Sequence, residues 1–196
     1  MDALSQVVDA LRCLPGVGPR SAQRMVLHLL QHHRQRGIHL ANCLQEAMQN
    51  IKNCNSCNNY TTFDICNICS DLKRDDSKIC VVESPTDVIA IEQAMVYKGK
   101  YFVLMGKISP INGIGPEEIK LNKLFVTVKN SNTINEVIIA LAPSIEGQTT
   151  IHYITGMLKN LKVKISQIAH GIPSGSDLNF LDTSTISSAL RNREIL

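Results

Sequence analysis

Four cysteines in two tandem pairs, Cys54-x2-Cys57 and Cys66-x2-Cys69, are the residues whose type and spacing most directly specify a chemistry. Two such knuckles, eight residues apart, offer four thiolates that can converge in the tetrahedral arrangement Zn²⁺ accepts. A closed four-sulfur site keeps no coordination position open for substrate, so its task is structural. The segment has few apolar residues of its own, with Phe63, Ile65 and Ile68 the plausible ones. Metal binding, worth roughly 10–16 kcal/mol in zinc-finger peptides, would therefore supply its folding energy. A redox CxxC is the competing reading, although redox motifs seldom come in tandem. Cys13, Cys43 and Cys80 lie in apolar stretches and read as core thiols.

A second constellation is Leu14-Pro-Gly-Val-Gly-Pro-Arg-Ser-Ala-Gln-Arg24. Gly16 and Gly18 in a tight turn between two helices let backbone N–H groups face outward at a helix N-terminus, where the dipole favours an anion. Glycine suits the position because a side chain would hold a phosphate away. Arg20 and Arg24, four residues apart, fall on one helix face beside that anion. Contacts of this kind grip the phosphate backbone and carry little base-sequence information. With a helix on each side, the segment resembles the helix-hairpin-helix DNA-binding motif. The plainer reading is a turn that only connects two helices.

Acids make the third. Glu83 and Asp87 follow the apolar run Ile79–Val82, and Glu146 follows Ala142-Pro143-Ser144-Ile145. An acid at the carboxyl end of a parallel strand sits where ligands normally bind, although a solvated strand end would look the same. Together the two segments resemble a Toprim domain, the Mg²⁺-binding fold of topoisomerases and primases. The cutting members carry D-P-D-R-E-G in the second segment; here Ala142 and Ser144 replace the two aspartates and Glu146 alone is kept. Mg²⁺ is held by one or two carboxylates plus waters and phosphate oxygens. Glu83, Asp87 and Glu146 thus suggest a weak Mg²⁺ or partner site without the acid cluster of phosphoryl transfer.

The elements that must position these groups follow from periodicity. Leu4, Val7, Val8 and Leu11 mark a first helix, Ala22, Met25, Val26, Leu29 and Leu30 a second, and Leu40, Leu44, Ala47, Met48 and Ile51 the inward face of a third. After the cysteines, Asp71–Lys78 reads as an exposed connector. Strands are expected at Ile79–Glu83, Tyr101–Met105, Val137–Ala142 and Val163–Ala169. Helices are expected from Pro85, from Pro116 and over residues 146–160, with Ser84 as a helix cap. Strands alternating with helices imply a mostly parallel sheet covered on both faces. A short helix near Ile186–Leu190 ends the chain.

Net charge at pH 7 is only +3, too small to name a partner, but its distribution is uneven. Before Cys54 stand six Arg or Lys (Arg12, Arg20, Arg24, Arg34, Arg36, Lys52) against Asp2, Asp9 and Glu46, together with four of the six histidines. Such a module suits a polyanion. No apolar run approaches the ~20 residues needed to cross a bilayer, and no signal peptide is visible. The expected location is therefore cytoplasmic and nucleoid-associated, where cysteines serve as metal ligands or buried thiols rather than disulfides. Four Tyr, four Phe and no Trp supply base stacking poorly.

The order of helix-hairpin-helix, four-cysteine zinc finger and degenerate Toprim resembles the RecR family of bacterial recombination mediators over essentially the whole chain. Gly106-Lys-Ile-Ser-Pro-Ile-Asn-Gly-Ile-Gly-Pro116 and the tail Ile168-Ala-His-Gly-Ile-Pro-Ser-Gly175 carry the likeness further. Ser176 and Gln148 depart from residues common in that family. The resemblance implies a multidomain α/β chain: residues 1–53 a DNA-binding domain, 54–78 zinc finger and connector, 79–169 Toprim-like, 170–196 a C-terminal extension. It also implies a ring-like homotetramer without enzymatic activity that works in DNA repair with RecO, and in some contexts RecF, to load RecA onto strands coated by single-strand-binding protein. The competing class is an enzyme, a Toprim-type Mg²⁺-dependent nuclease or topoisomerase-like protein using Glu83, Asp87 and Glu146.

Overall fold

The computed structural model describes residues 2–169, 171–173, 175–191 and 193; His170 and Ser174 of the tail motif lie outside them. The chain divides into two compact units, Met1–Ile51 and Lys52–Leu196.

The first unit is three helices. Asp2 caps α1 (Ala3–Leu11), its carboxylate accepting from Ser5 N at 2.7 Å. α2 (Pro19–His32) opens with proline at its first position, where the missing N–H costs nothing. At His33 the backbone leaves the helical region (φ −141°, ψ 43°) before α3 (Arg34–Asn50) begins. Only Ala22 and Val26 are buried here among the described residues. The expected inward face of α3 is a correction: Leu40, Leu44, Met48 and Ile51 are exposed, Met48 to 77 %. Helical spacing identifies an apolar stripe but not its cover, and three short helices do not enclose this one.

The second unit is built on β3 (Asp75–Val82), β4 (Gly99–Val103), β5 (Glu136–Ala140) and β6 (Lys164–Gln167), ordered β4-β3-β5-β6 with every pair parallel. Phe102, Val81 and Ile139 on one face pack with Leu121, Leu124 and Val128 of α6 (Leu121–Asn130) and with Ile154 and Leu158 of α7 (Ile145–Leu158). Cys80, Val82, Tyr101 and Val103 on the other pack with Val88 of α5 (Pro85–Ala94). Burial on both faces explains why the second half of β3, Ile79–Val82, is one apolar run rather than an alternation. α8 (Thr183–Arg191) closes the described chain.

Several boundaries differ from expectation, β5 and β6 each ending two residues early among them, and three have a visible backbone cause. β3 begins four residues early, inside the expected connector, because Asp75 pairs with Gly99 before a register shift leading to Ile79. β4 ends at Val103, since Met105 (φ 63°) and Gly106 (φ 153°) leave the extended region. α6 starts at Leu121 rather than Pro116, after Lys120 in the left-handed conformation (φ 56°).

The cysteine segment is part of this second unit. β1 (Lys52–Asn53) and β2 (Tyr60–Thr61) form an antiparallel pair, and α4 (Asn67–Ser70) follows. The outer edge of β4 is met by this segment, with Val103 N donating to Cys57 O at 2.8 Å. Asn58, fully buried and left-handed (φ 65°), donates from Nδ2 to Val103 O at 2.7 Å and accepts from Lys120 Nζ at 2.9 Å. Lys100 Nζ donates to Cys69 O at 2.7 Å and Lys123 Nζ to Cys54 O at 3.3 Å.

Arg74 ties the following linker down. Its guanidinium binds both oxygens of Glu92 and donates to Gly99 O at 3.1 Å, while Tyr101 OH donates to Glu92 Oε1 at 2.6 Å. The Arg74 bond holds the Glu92 carboxyl below its ordinary 4.5, and the same bond raises Arg74. A depressed carboxyl contributes stability that is complete above its unfolded value and is lost as pH falls through the folded one. Glu92→Gln should cost about 1 kcal/mol near neutral pH and should flatten the loss of stability on acidification through the carboxylate range. Urea titrations of variant and wild type across that range test this; parallel pH profiles would exclude Glu92 as an acid-sensitive tie.

Candidate nucleic-acid interface and metal centre

The sulfur ligand atoms of Cys54, Cys57, Cys66 and Cys69 all lie within 4.8 Å of one another, with the first three residues buried. Cys57 and Cys66 approach to 3.5 Å, and Cys66 N donates to the Cys54 sulfur at 3.3 Å. Hydrogen bonding from Cys57 draws the Cys69 thiol down to about 5, while the same bond and then burial push Cys57 up. Four thiols this close cannot ionise independently; a dication among them lets all four carry charge. The donor set fits a closed tetrahedral metal site. It is the one group of three or more potential ligands brought together among the described residues.

The other cysteines divide. Cys80 is buried in the sheet, its thiol pushed up to about 12 by burial. Cys13 and Cys43 are exposed and not core thiols, for the reason that leaves α3 uncovered; Cys43 Sγ sits 3.5 Å from His39 Nε2.

In the hairpin, Gly16 carries the left-handed conformation (φ 77°), which an L side chain would strain. Gly18 is extended (φ −83°) and open around its α-carbon, so its lack of a side chain there keeps the approach clear. It is the N-cap of α2 and forms no side-chain cap, leaving Arg20 N and Ser21 N in the first turn without one. Arg20 and Arg24 line an open cleft of about 420 Å³ along α2 with Gln23, Leu27, His28 and Gln31. Sequence reasoning misses Gln23, His28 and Gln31 as neighbours of the two arginines, although all share their three- and four-residue spacing; the apolar stripe on the opposite side dominates the periodicity. Beyond them, the His28, His32 and His33 rings lie with centroids 5.1 to 6.4 Å apart.

The acids are placed at the carboxyl end of the sheet but each is engaged separately. Glu83 pairs with Lys107 at 3.2 Å. Asp87 accepts from Ser84 N at 2.8 Å and Ser84 Oγ at 3.0 Å, completing the capping box that starts α5. Glu146 accepts from the buried Ser109 hydroxyl at 2.5 Å, and Ser109 Oγ also accepts from Asn112 Nδ2 at 2.9 Å, so the acid secures the 106–115 loop. Ser144 is the N-cap of α7, accepting from Gly147 N at 3.1 Å. A Cβ on Gly147 would run into the Ala142 carbonyl, so this turn requires glycine. Lys107 and Ser109 escape sequence reasoning because only tertiary structure returns their loop to the acids.

The comparisons agree with this architecture. A family model described as RecR, helix-hairpin-helix matches residues 4–48, one described as Toprim domain matches 77–169, and one described as RecR, C-terminal matches 171–194. The chain is 61 % identical over 196 residues to the recombination protein RecR of Legionella pneumophila (strain Corby), covering 100 % of this chain and 99 % of that one. It is 48 % identical over 189 residues to that of Coxiella burnetii (96 % and 94 % covered) and 47 % over 192 to that of Hahella chejuensis (98 % and 95 %). With identity of this order running the full length of its relatives, the chain belongs to the RecR family of recombination proteins.

Proposed function

We propose that this chain is a zinc-stapled, non-hydrolytic recombination mediator that grips DNA by its phosphate backbone. In this reading it acts in DNA repair with RecO-type, and in some contexts RecF-type, partners to load RecA onto strands coated by single-strand-binding protein. The observation that carries the DNA contact is the exposed face of α2, where an uncapped helix N-terminus, Arg20 and Arg24 stand together beside Gly16 and Gly18. Those groups are charge-complementary to a phosphate and have no shape that reads base edges.

The exposed apolar stripe of Leu40, Leu44 and Met48 supports self-association into a homo-oligomer, for which a ring tetramer is the proposed form. Zinc is the proposed metal because four thiolates in a closed set suit it best. No helix among the described residues is long and apolar enough to cross a membrane, and the proposed location is the cytoplasm at the nucleoid. Glu83, Asp87 and Glu146 serve as local ties and as an acidic surface for a partner, with at most weak Mg²⁺ binding. Spent on Lys107, Ser84 and Ser109, they are poorly arranged for bond cleavage.

Three measurements bear on this. Metal analysis of the purified chain should give about one zinc per protomer. Cys57→Ser should lose it and render residues 54–69 protease-sensitive or the protein aggregation-prone; a metal-free variant of full stability would refute the structural zinc. Arg20→Ala and Arg24→Ala should weaken binding alike for unrelated DNA sequences and each reduce the steepness of the log–log salt dependence by about one. Selective loss on one sequence would contradict backbone recognition, and no DNA binding by wild type would end the reading. A supercoiled plasmid with Mg²⁺ or Mn²⁺ should stay intact, and scission abolished by Glu83→Ala would establish the enzyme alternative.

A further inference from the structure

Tyr60 and Phe63 are 58 % and 64 % exposed, in a chain with only eight Tyr and Phe and no Trp. Both line a cleft of about 320 Å³ on the metal knuckle, with Asn59, Thr62, Asn67 and Ile68. Large rings facing water are tolerated singly, but two within four residues around one concavity form an apolar site that the fold itself does not use. The frame beneath them is fixed. Tyr60 N donates to Asn59 Oδ1 at 2.8 Å, Phe63 N to Thr61 Oγ1 at 3.2 Å, and Asn55 N to Asp64 O at 2.8 Å. The Lys52–Asp64 ion pair spans the base of the loop, and Cys66, which also lines the cleft, belongs to the four-cysteine cluster. Rings presented on such a support lose little further freedom when they bind.

The lining identifies the ligand chemistry. No Asp, Glu, Lys or Arg contributes, so the cleft is not built for a phosphate or an ion pair. The Thr62 hydroxyl and the Asn67 amide have no intramolecular partner among the described residues, which leaves hydrogen-bonding groups at the edge of an aromatic surface. A flat ligand with an apolar face and a polar rim fits this arrangement better than an aliphatic side chain does. We infer that the Tyr60–Phe63 cleft receives an unstacked nucleobase of single-stranded DNA, stacked on an aromatic ring with its edge toward Thr62 and Asn67. In a duplex the base faces are covered by their neighbours, so only an unpaired strand can supply one. The inference rests on the DNA-binding reading and deepens it, adding a non-ionic contact for single strands to an ionic one that serves any DNA.

The two contacts separate experimentally. In the full-length, zinc-loaded protein, Tyr60→Ala with Phe63→Ala should weaken binding of an oligothymidylate about ten-fold, the loss expected for one stacked base. Duplex affinity, zinc content and the salt slope for the oligothymidylate should be unchanged, because stacking releases no counterions. Phe63→Trp gives a direct readout: oligothymidylate should quench the indole emission and a duplex of equal length should not. Unaltered oligothymidylate affinity of the double variant, equal losses on single strand and duplex, or an unquenched indole would each overturn the inference. Retained oligothymidylate affinity together with lost binding of a repair protein would make the cleft a protein-docking site instead. Quenching by oligothymidylate in a protein whose duplex affinity is unchanged by Arg20→Ala would place the fault in the hairpin reading and leave the cleft standing.

Discussion

A parallel sheet that stops at β4 exposes a row of backbone N–H and C=O groups, and the cysteine segment meets that edge through Cys57 and Asn58. Asn58 is suited to the junction because it tolerates the left-handed conformation and offers both a donor and an acceptor. One end of its amide binds Val103 O and the other receives Lys120 Nζ, so a fully buried polar side chain is satisfied on both sides. Leucine there would orphan the β4 carbonyl and the lysine together. The cluster and the sheet edge therefore support one another: a metal held by the four cysteines would fix the loop that closes the edge, and the edge steadies the segment that carries Cys54 and Cys57. Lys100 and Lys123 extend the same logic by donating to carbonyls on the cysteine residues themselves. With a dication bound, these lysines would offset part of the negative field that four thiolates leave behind.

What the sequence displays follows from which interactions are local. The CxxC pairs announce their cluster because each pair is a short-range geometric unit, and the four sulfurs do converge. The capping box of Ser84 and Asp87 and the N-cap at Ser144 are local too, and Ser84 is readable as a cap from Pro85 alone. Alternation of strand with helix specifies the layering, since a strand buried on both faces has nowhere to put polar residues. Tertiary pairings are not legible. Lys107 to Glu83, Ser109 to Glu146 and Lys120 to Asn58 join residues 24, 37 and 62 positions apart, and no periodicity connects them. The apolar face of α3 shows a different limit, because a stripe destined for another surface has the same spacing as one destined for the chain's own core.

At the carboxyl end of the sheet, each acid is engaged by a partner from the chain itself. Ser144, standing where a cutting relative of the fold has an aspartate, now caps α7, and Asp87 now caps α5. Glu83 has acquired a cation in Lys107, and Glu146 has become the anchor of the 106–115 loop. In each case a carboxylate or its replacement satisfies a donor from the chain itself. Free acids held close together need an external cation to relieve their repulsion, whereas acids paired internally do not. Glu83, Asp87 and Glu146 thereby fix local geometry, and the glycine at 147 keeps the tight approach to Ala142 O that the turn needs.

Division of labour between charge and π-surface is the further consequence. The phosphate grip proposed for α2 would depend on Arg20 and Arg24, and a purely ionic grip of that kind weakens steeply as salt rises and does not distinguish paired from unpaired strands. Discriminating an unpaired strand from a duplex requires a second, non-ionic term. Tyr60 and Phe63 can provide it because ring faces bind only bases that have left their stack, and salt does not screen that interaction. Lodging those rings on the metal knuckle is physically sensible. The segment has too few apolar residues to hold them in place by core packing, and the four-sulfur cluster supplies the rigidity that a stacking platform requires.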